Sequence, residues 1–174
     1  MDVDKLSTGE KIAGASAILL FIFMFFDWFT VSASNGFISV SVGGSAWDAL
    51  DVIPIILMVA IIAAVGVAVV RLTDAVFEPS ISVNAIVAIL GAISVLLILY
   101  RIISPPDSGV SGIDVSPAVG IFLGLVAAAG ITYGGYRAMQ EEGASFGEIG
   151  DRLGSGGRGG PGPTPPSPPP PPAS

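Results

Sequence analysis

The sequence predicts an all-α membrane protein: an antiparallel bundle of four transmembrane helices with a short extracellular β-hairpin and a disordered C-terminal tail. Of its 174 residues 52% are hydrophobic and only 12% charged, against roughly 25% charged in a soluble domain, and the mean hydropathy is +0.81. The apolar residues gather into four blocks of roughly 20, each long enough to carry a helix across about 30 Å of hydrocarbon. The chain ends in GSGGRGG and PGPTPPSPPPPPAS, a composition that cannot bury a core and favours polyproline II.

Residues 1–10 form a polar, cytoplasmic N-terminus, and residues 11–142 the transmembrane domain. Ser7 and Glu10 have capping-box spacing just before an apolar run, which starts a helix there. The first span covers residues 11–29 and turns aromatic at its far end with Phe21, Phe23, Phe25, Phe26, Trp28 and Phe29. A cleavable signal peptide ending at Val31-Ser32-Ala33 is the competing reading. The apolar stretch exceeds the usual run of about 7–15, and Asp2, Asp4 and Glu10 outnumber Lys5 and Lys11, both of which oppose it.

Residues 30–51 make the first outer loop. Asn35-Gly36 between alternating small and β-branched residues predicts a two-residue hairpin turn, because both turn positions need positive φ; a disordered polar loop is the alternative. Ser45-Ala46-Trp47-Asp48 is a second cap-like start, and Pro54 marks a kink or the join between an interfacial turn and the second span, 52–71. A connector with Asp74, Glu78 and Pro79 returns the third span, 81–103, antiparallel to it. Residues 104–117, rich in Pro, Gly, Ser and Asp, read as an aqueous loop. The fourth span, 118–137, is dominated by Ala and Gly, and residues 143–174 form the disordered tail.

Orientation follows the Lys and Arg bias at span ends. Lys5, Lys11, Arg71, Arg137, Arg152 and Arg158 fall on one side and Arg101 on the other, which places both termini in the cytoplasm of a multi-pass cell-membrane protein. Trp28, Trp47 and Tyr100 at the outer ends, with Tyr133 and Tyr136 at the inner end, fit interfacial aromatic anchors, whose rings are apolar and whose polar tips stay wet.

The chain has no Cys and no His, which removes thiol nucleophiles, imidazole bases and their metal sites. A net charge of −7 disfavours nucleic acid as a partner. No catalytic, cofactor-binding or metal site is predicted, and no cofactor. Asp27, Asp48, Asp51 and Arg101 form a candidate charge cluster at the outer interface, where Arg101 either pairs with the aspartates or each group snorkels alone. Gly120 with Gly124 and Gly130 with Gly134 are candidate helix-packing pairs, since small residues allow backbones to approach closely in lipid. They serve either packing within one chain or a homo-oligomer. PTPP and SPPPPP match the loose pattern read by proline-recognising grooves, so a cytoplasmic protein that binds the tail is a candidate partner alongside the lipid bilayer; a passive spacer is the alternative.

The strings STGEKIAG, FMFFDWF, SAWDALDVIPI, LILYRII and YRAMQEEG together resemble uncharacterised small four-helix membrane proteins of actinobacterial type with Gly/Pro-rich tails, over about residues 7–150. That resemblance carries the four-helix layout and no activity. The layout also looks like that of claudin-type tetraspan proteins, though their cysteine pair is absent, so the likeness is one of topology. The expected role is structural or accessory, exercised through helix–helix and tail contacts. A small oligomeric transporter or channel for a small molecule or lipid is the alternative, and an enzyme is not expected.

Overall fold

A computed structural model of the chain describes residues 5–34, 39–49, 52–73, 82–106, 113–143 and 147. In chain order the elements are α1 (Thr8–Phe23), β1 (Asp27–Ser34), β2 (Ser39–Ser45), α2 (Ala46–Ala49), α3 (Ile53–Leu72), α4 (Val83–Ile103), β3 (Ile113–Pro117) and α5 (Val119–Glu141). They belong to a unit of residues Met1–Ala144; Ser145–Ser174 form a second unit.

Three helices, α3, α4 and α5, are long and apolar enough to cross a membrane. The first predicted span is shorter than its sequence suggests. α1 has 16 residues, a rise of about 24 Å, and ends at Phe23 rather than Phe29. Its start is the expected capping box: the Ser7 hydroxyl accepts from the Glu10 amide at 3.2 Å, and the Glu10 carboxylate accepts from the Ser7 amide at 2.9 Å. Its end tightens into i→i−3 bonds from Phe25 to Ile22 and Phe26 to Phe23. Beyond that turn the β-branched and aromatic residues of DWFTV extend as a strand.

The other boundaries lie near their expected places. Pro54 sits in the first turn of α3, where its missing N–H costs nothing, so it joins α3 to the short α2 instead of kinking a span. α5 runs four residues past its expected end and stops where Gly143 adopts φ +73, the left-handed position that glycine takes most cheaply after a helix.

The predicted hairpin is present as the antiparallel pair β1–β2, whose register runs from Asp27↔Ser45 to Ser34↔Ser39. Four residues, 35–38, lie between the last paired positions where the Asn-Gly reading expects two; Asn35 and Gly36 themselves fall outside the described residues. The 104–117 segment is not wholly loop. Its last five residues form β3, which pairs antiparallel with β1 from Phe29↔Pro117 to Ala33↔Ile113, giving a sheet of order β2-β1-β3.

Paired positions share a face, so register sorts the sheet chemically. Phe29, Val31, Ala33, Val40, Val42, Ile113 and Val115 fall on one face; Thr30, Ser32, Ser39, Ser41, Asp114 and Ser116 fall on the other. Phe29 is buried and Val115 packs against the core, so the aliphatic face is the one turned to the bundle. A register shift between Asp27 and Phe29, a bulge of the kind that re-aims side chains, lets the consecutive Trp28 and Phe29 both be buried.

α5 is the central helix. Its apolar window is 44% buried, against 28% for α3 and for α4. The core is a run of Ala, Leu, Ile and Met, including Ala17, Leu20, Leu57, Ile98, Ile121, Ala128 and Ile131. Large aliphatics at Ile62, Leu96 and Val126 point outward and are exposed.

Candidate functional site

Two polar assemblies cap the bundle. At the end opposite the sheet, the starts of α1 and α4 meet the ends of α3 and α5. Glu10, on α1, is only 4% exposed. Its carboxylate accepts from Arg71 Nε on α3 at 3.1 Å and from Asn84 Nδ2 on α4 at 3.4 Å, besides the Ser7 amide. Arg71 Nη2 also pairs with Glu142 Oε1, and the second oxygen of Glu142 accepts from the Ser82 hydroxyl at 2.8 Å. Glu141 accepts from the Gly9 amide at 3.2 Å and faces Arg137 Nη2 at 3.6 Å. A buried carboxylate is costly unless paired and hydrogen-bonded, and here three donors on three elements meet that need. The arrangement fastens four helix ends together.

In the sequence Glu10 reads as a cap and a negative N-terminal charge, and Arg71 as the end of a span and a topology marker. The signal that would have found the clasp is topological, because an antiparallel four-helix layout brings residues 10, 71, 84 and 142 to one end. Asn84 on α4 bonds across to Glu10 on α1. Thr132 and Ser94 instead donate to their own helices, at Ala128 O and Leu90 O.

At the sheet end, the expected outer charge cluster is not assembled among the described residues, where no ion pair joins Arg101 to Asp27 or Asp48. Asp51 lies outside the described residues. Asp48 serves locally: its carboxylate accepts from the Ser45 hydroxyl at 2.6 Å and the Ser45 amide at 3.1 Å. These two bonds hold its carboxyl below the usual range for aspartate. Asp27 is exposed at the start of β1, and Arg101 Nε is buried without a hydrogen-bond partner. Among the described residues no group of three or more acidic side chains is placed to hold a metal ion.

The four candidate packing glycines are all used within the chain. A Cβ on Gly124 would lie 2.6 Å from Trp28 Cζ2, and one on Gly120 would lie 2.8 Å from Trp28 Cδ1 and 2.6 Å from Asp27 O. That pair is therefore a seat for an indole rather than a helix-crossing point. Trp28 is fully buried there and donates its indole N–H at 2.8 Å to Phe23 O, the carbonyl in the last turn of α1 that also accepts from the Phe26 amide. This removes Trp28 from the interfacial anchors, because its polar tip is spent inside. Gly134 and Gly130 face Ala13 and Ser16 of α1. On the opposite side of α5, Gly135 meets the Ala88 backbone of α4, and Gly91 of α4 meets Thr132.

The other candidate anchors stand on the surface. Trp47 is exposed and packs against Phe25 with ring centroids 6.5 Å apart, and Tyr100, Tyr133 and Tyr136 are exposed. Tyr133 and Tyr136 border an open groove of about 520 Å³ between α4 and α5, walled by Ala92, Val95, Leu96 and Ala129. Arg137 donates to the Tyr133 hydroxyl at 3.3 Å. No protein-family model matches this chain, and no curated protein matches its sequence.

Proposed function

We propose that this chain is a four-span integral membrane protein with both termini in the cytoplasm. On this reading it has a structural or accessory role and acts by contact rather than catalysis. The observation that carries the reading is how polar groups are distributed. Among the described residues charged groups gather in the clasp and beside the sheet, while the interior between them is Ala, Gly, Leu, Ile, Val and Met, with the buried Ser94 hydroxyl bonded to its own helix. Proton carriers and ion channels normally keep ionisable groups or broken helices at midplane.

α1 supplies the fourth span. It runs antiparallel along α5, with Gly9 against Ala138, Ala13 against Gly134 and Ser16 against Gly130, so it shares the depth of α5. Its outward side chains, Ile18, Leu19 and Ile22, then Phe25 and Phe26 in the turn beyond, are what a lipid-facing surface requires. The clasp end, with Lys11, Arg71 and Arg137, faces the cytoplasm by the basic-residue bias. The proline-rich segment that follows α5 is then available to a cytoplasmic partner with a polyproline-binding groove.

The α4–α5 groove supports a second reading, in which the protein handles a lipid or small apolar molecule. Its volume falls within the range of about 300–1,000 Å³ typical of ligand pockets, and its walls are aliphatic with two tyrosines at the rim. The test compares the full chain with one truncated after Gly154 by affinity purification in mild detergent, alongside flux measurements in proteoliposomes. The accessory reading expects partners retained only by the full chain and no flux; saturable flux with no tail-dependent partner contradicts it.

A further inference from the structure

The two outer strands of the sheet differ in a way that matters for association. An outer strand presents unpaired amides and carbonyls, and proteins usually guard it with charge, proline or a very short length. β3 is guarded: it has five residues, includes Asp114 and ends in Pro117. β2 is not. Its seven residues, SVSVGGS, contain neither a charge nor a proline, and Ser39 to Gly43 are all exposed. Val40 and Val42 are 56% and 63% exposed, on the same aliphatic face as Val31 and Ala33.

From this edge we infer a self-association site: β2 pairs antiparallel with β2 of a second copy about a two-fold axis at Ser41, joining two three-stranded sheets into one of six. The partner is chosen by self-complementarity. Centring on Ser41 sets Val40 opposite Val42 of the partner subunit and Ser41 opposite the partner subunit's Ser41. The aliphatic face then continues across the junction, and so does the hydroxyl face. β2 carries no charge, so like meets like without repulsion, whereas two copies of β3 would bring Asp114 toward its own counterpart.

One strand pair covers far less than the roughly 800 Å² per partner of a stable soluble interface. The pairing therefore rests on the membrane reading in one respect, that confinement in a bilayer supplies the local concentration. It does not use the glycines of α5, which are occupied within the chain.

The absence of cysteine from the chain makes the test specific. Residues opposite one another in antiparallel strands have Cα atoms about 4.5–5.5 Å apart, inside the roughly 4.4–6.8 Å that a disulfide spans. Ser41→Cys in membranes, mildly oxidised and run without reductant, is expected to give a covalent dimer at least tenfold more abundant than Ser116→Cys, its counterpart on β3. Adding Val40→Lys and Val42→Lys to Ser41→Cys is expected to reduce that dimer at least fivefold. Equal dimer from Ser41→Cys and Ser116→Cys, or no effect of the lysines, overturns the inference. An alkaline wash of the same samples reads membrane insertion separately: release of the protein defeats the membrane reading, whatever the cross-linking shows.

Discussion

Replacing Gly134 by alanine adds one methyl group where α1 and α5 cross. The new Cβ would point onto the Ala13 amide nitrogen and lie 2.8 Å from both Ala13 Cα and Gly9 O. All three are backbone atoms, so no rotamer change can make room. Ordinary contact begins near 3.4 Å, so the helices must part by about 0.6 Å or more, and a gap of about 0.5–1 Å forfeits a quarter to a half of each facing dispersion contact. Overpacking of this kind costs about 1–3 kcal/mol. Gly66→Ala is the internal reference, because a Cβ there meets nothing within 4 Å, and both substitutions share the helix-propensity gain of about 1 kcal/mol. Their difference therefore isolates packing. Reversible unfolding in mixed micelles, followed by far-ultraviolet circular dichroism, should place Gly134→Ala about 1–3 kcal/mol below Gly66→Ala. Equal stability of the two variants would refute the close α1–α5 crossing.

The indole seat predicts coupling: Gly124→Ala should destabilise the wild-type chain by about 1–3 kcal/mol and cost nothing in a Trp28→Ala background, read as a double-mutant cycle in the same micelles. Glu10→Gln keeps the shape of the clasp but removes its buried charge, and should cost about 1–3 kcal/mol; in a cycle with Arg71→Met the coupling should exceed about 0.5 kcal/mol, and an additive result would mean that the two side chains do not support each other. The depressed carboxyl of Asp48 gives a pH dependence whose sign is fixed. Its bonds to Ser45 are fully formed above the ordinary value of 3.8 and are lost as pH falls through the lower folded value. The Ser45 amide and the Asp48 side-chain carbon should therefore titrate together, below that of an isolated aspartate, in nuclear magnetic resonance spectra.

Much of the helical layout was legible because it depends on local composition. The apolar blocks ending at Arg71 and at Ile103 became α3 and α4 within two residues at each end, and Ser7 with Glu10 opened α1 as their spacing required. What local pattern could not supply was long-range pairing. Ile113-Asp114-Val115 alternates over too few residues to announce a strand, and only β1, far away in sequence, makes it one. The aromatic run through Trp28 continues the hydrophobic signal of α1 past the point where the helix stops, because hydropathy does not distinguish a helix from a buried strand. The spacing of the glycine pairs marks them as packing residues, but Gly120 and Gly124 receive an indole from the sheet rather than a helix. Glu10 and Arg71 are separated by 61 residues, and nothing in a linear reading puts them 3.1 Å apart.

The central claim, that four helices lie in lipid, is tested most directly by depth measurement. Ile18, Ile62, Leu96 and Val126 are one outward, exposed residue each from α1, α3, α4 and α5, and each can become the sole cysteine of the chain and carry a spin label. In reconstituted bilayers all four labels should collide readily with oxygen and scarcely with a water-soluble nickel chelate. Chelate access at Ile18 alone would contradict a fourth span, and chelate access at all four would contradict membrane insertion altogether.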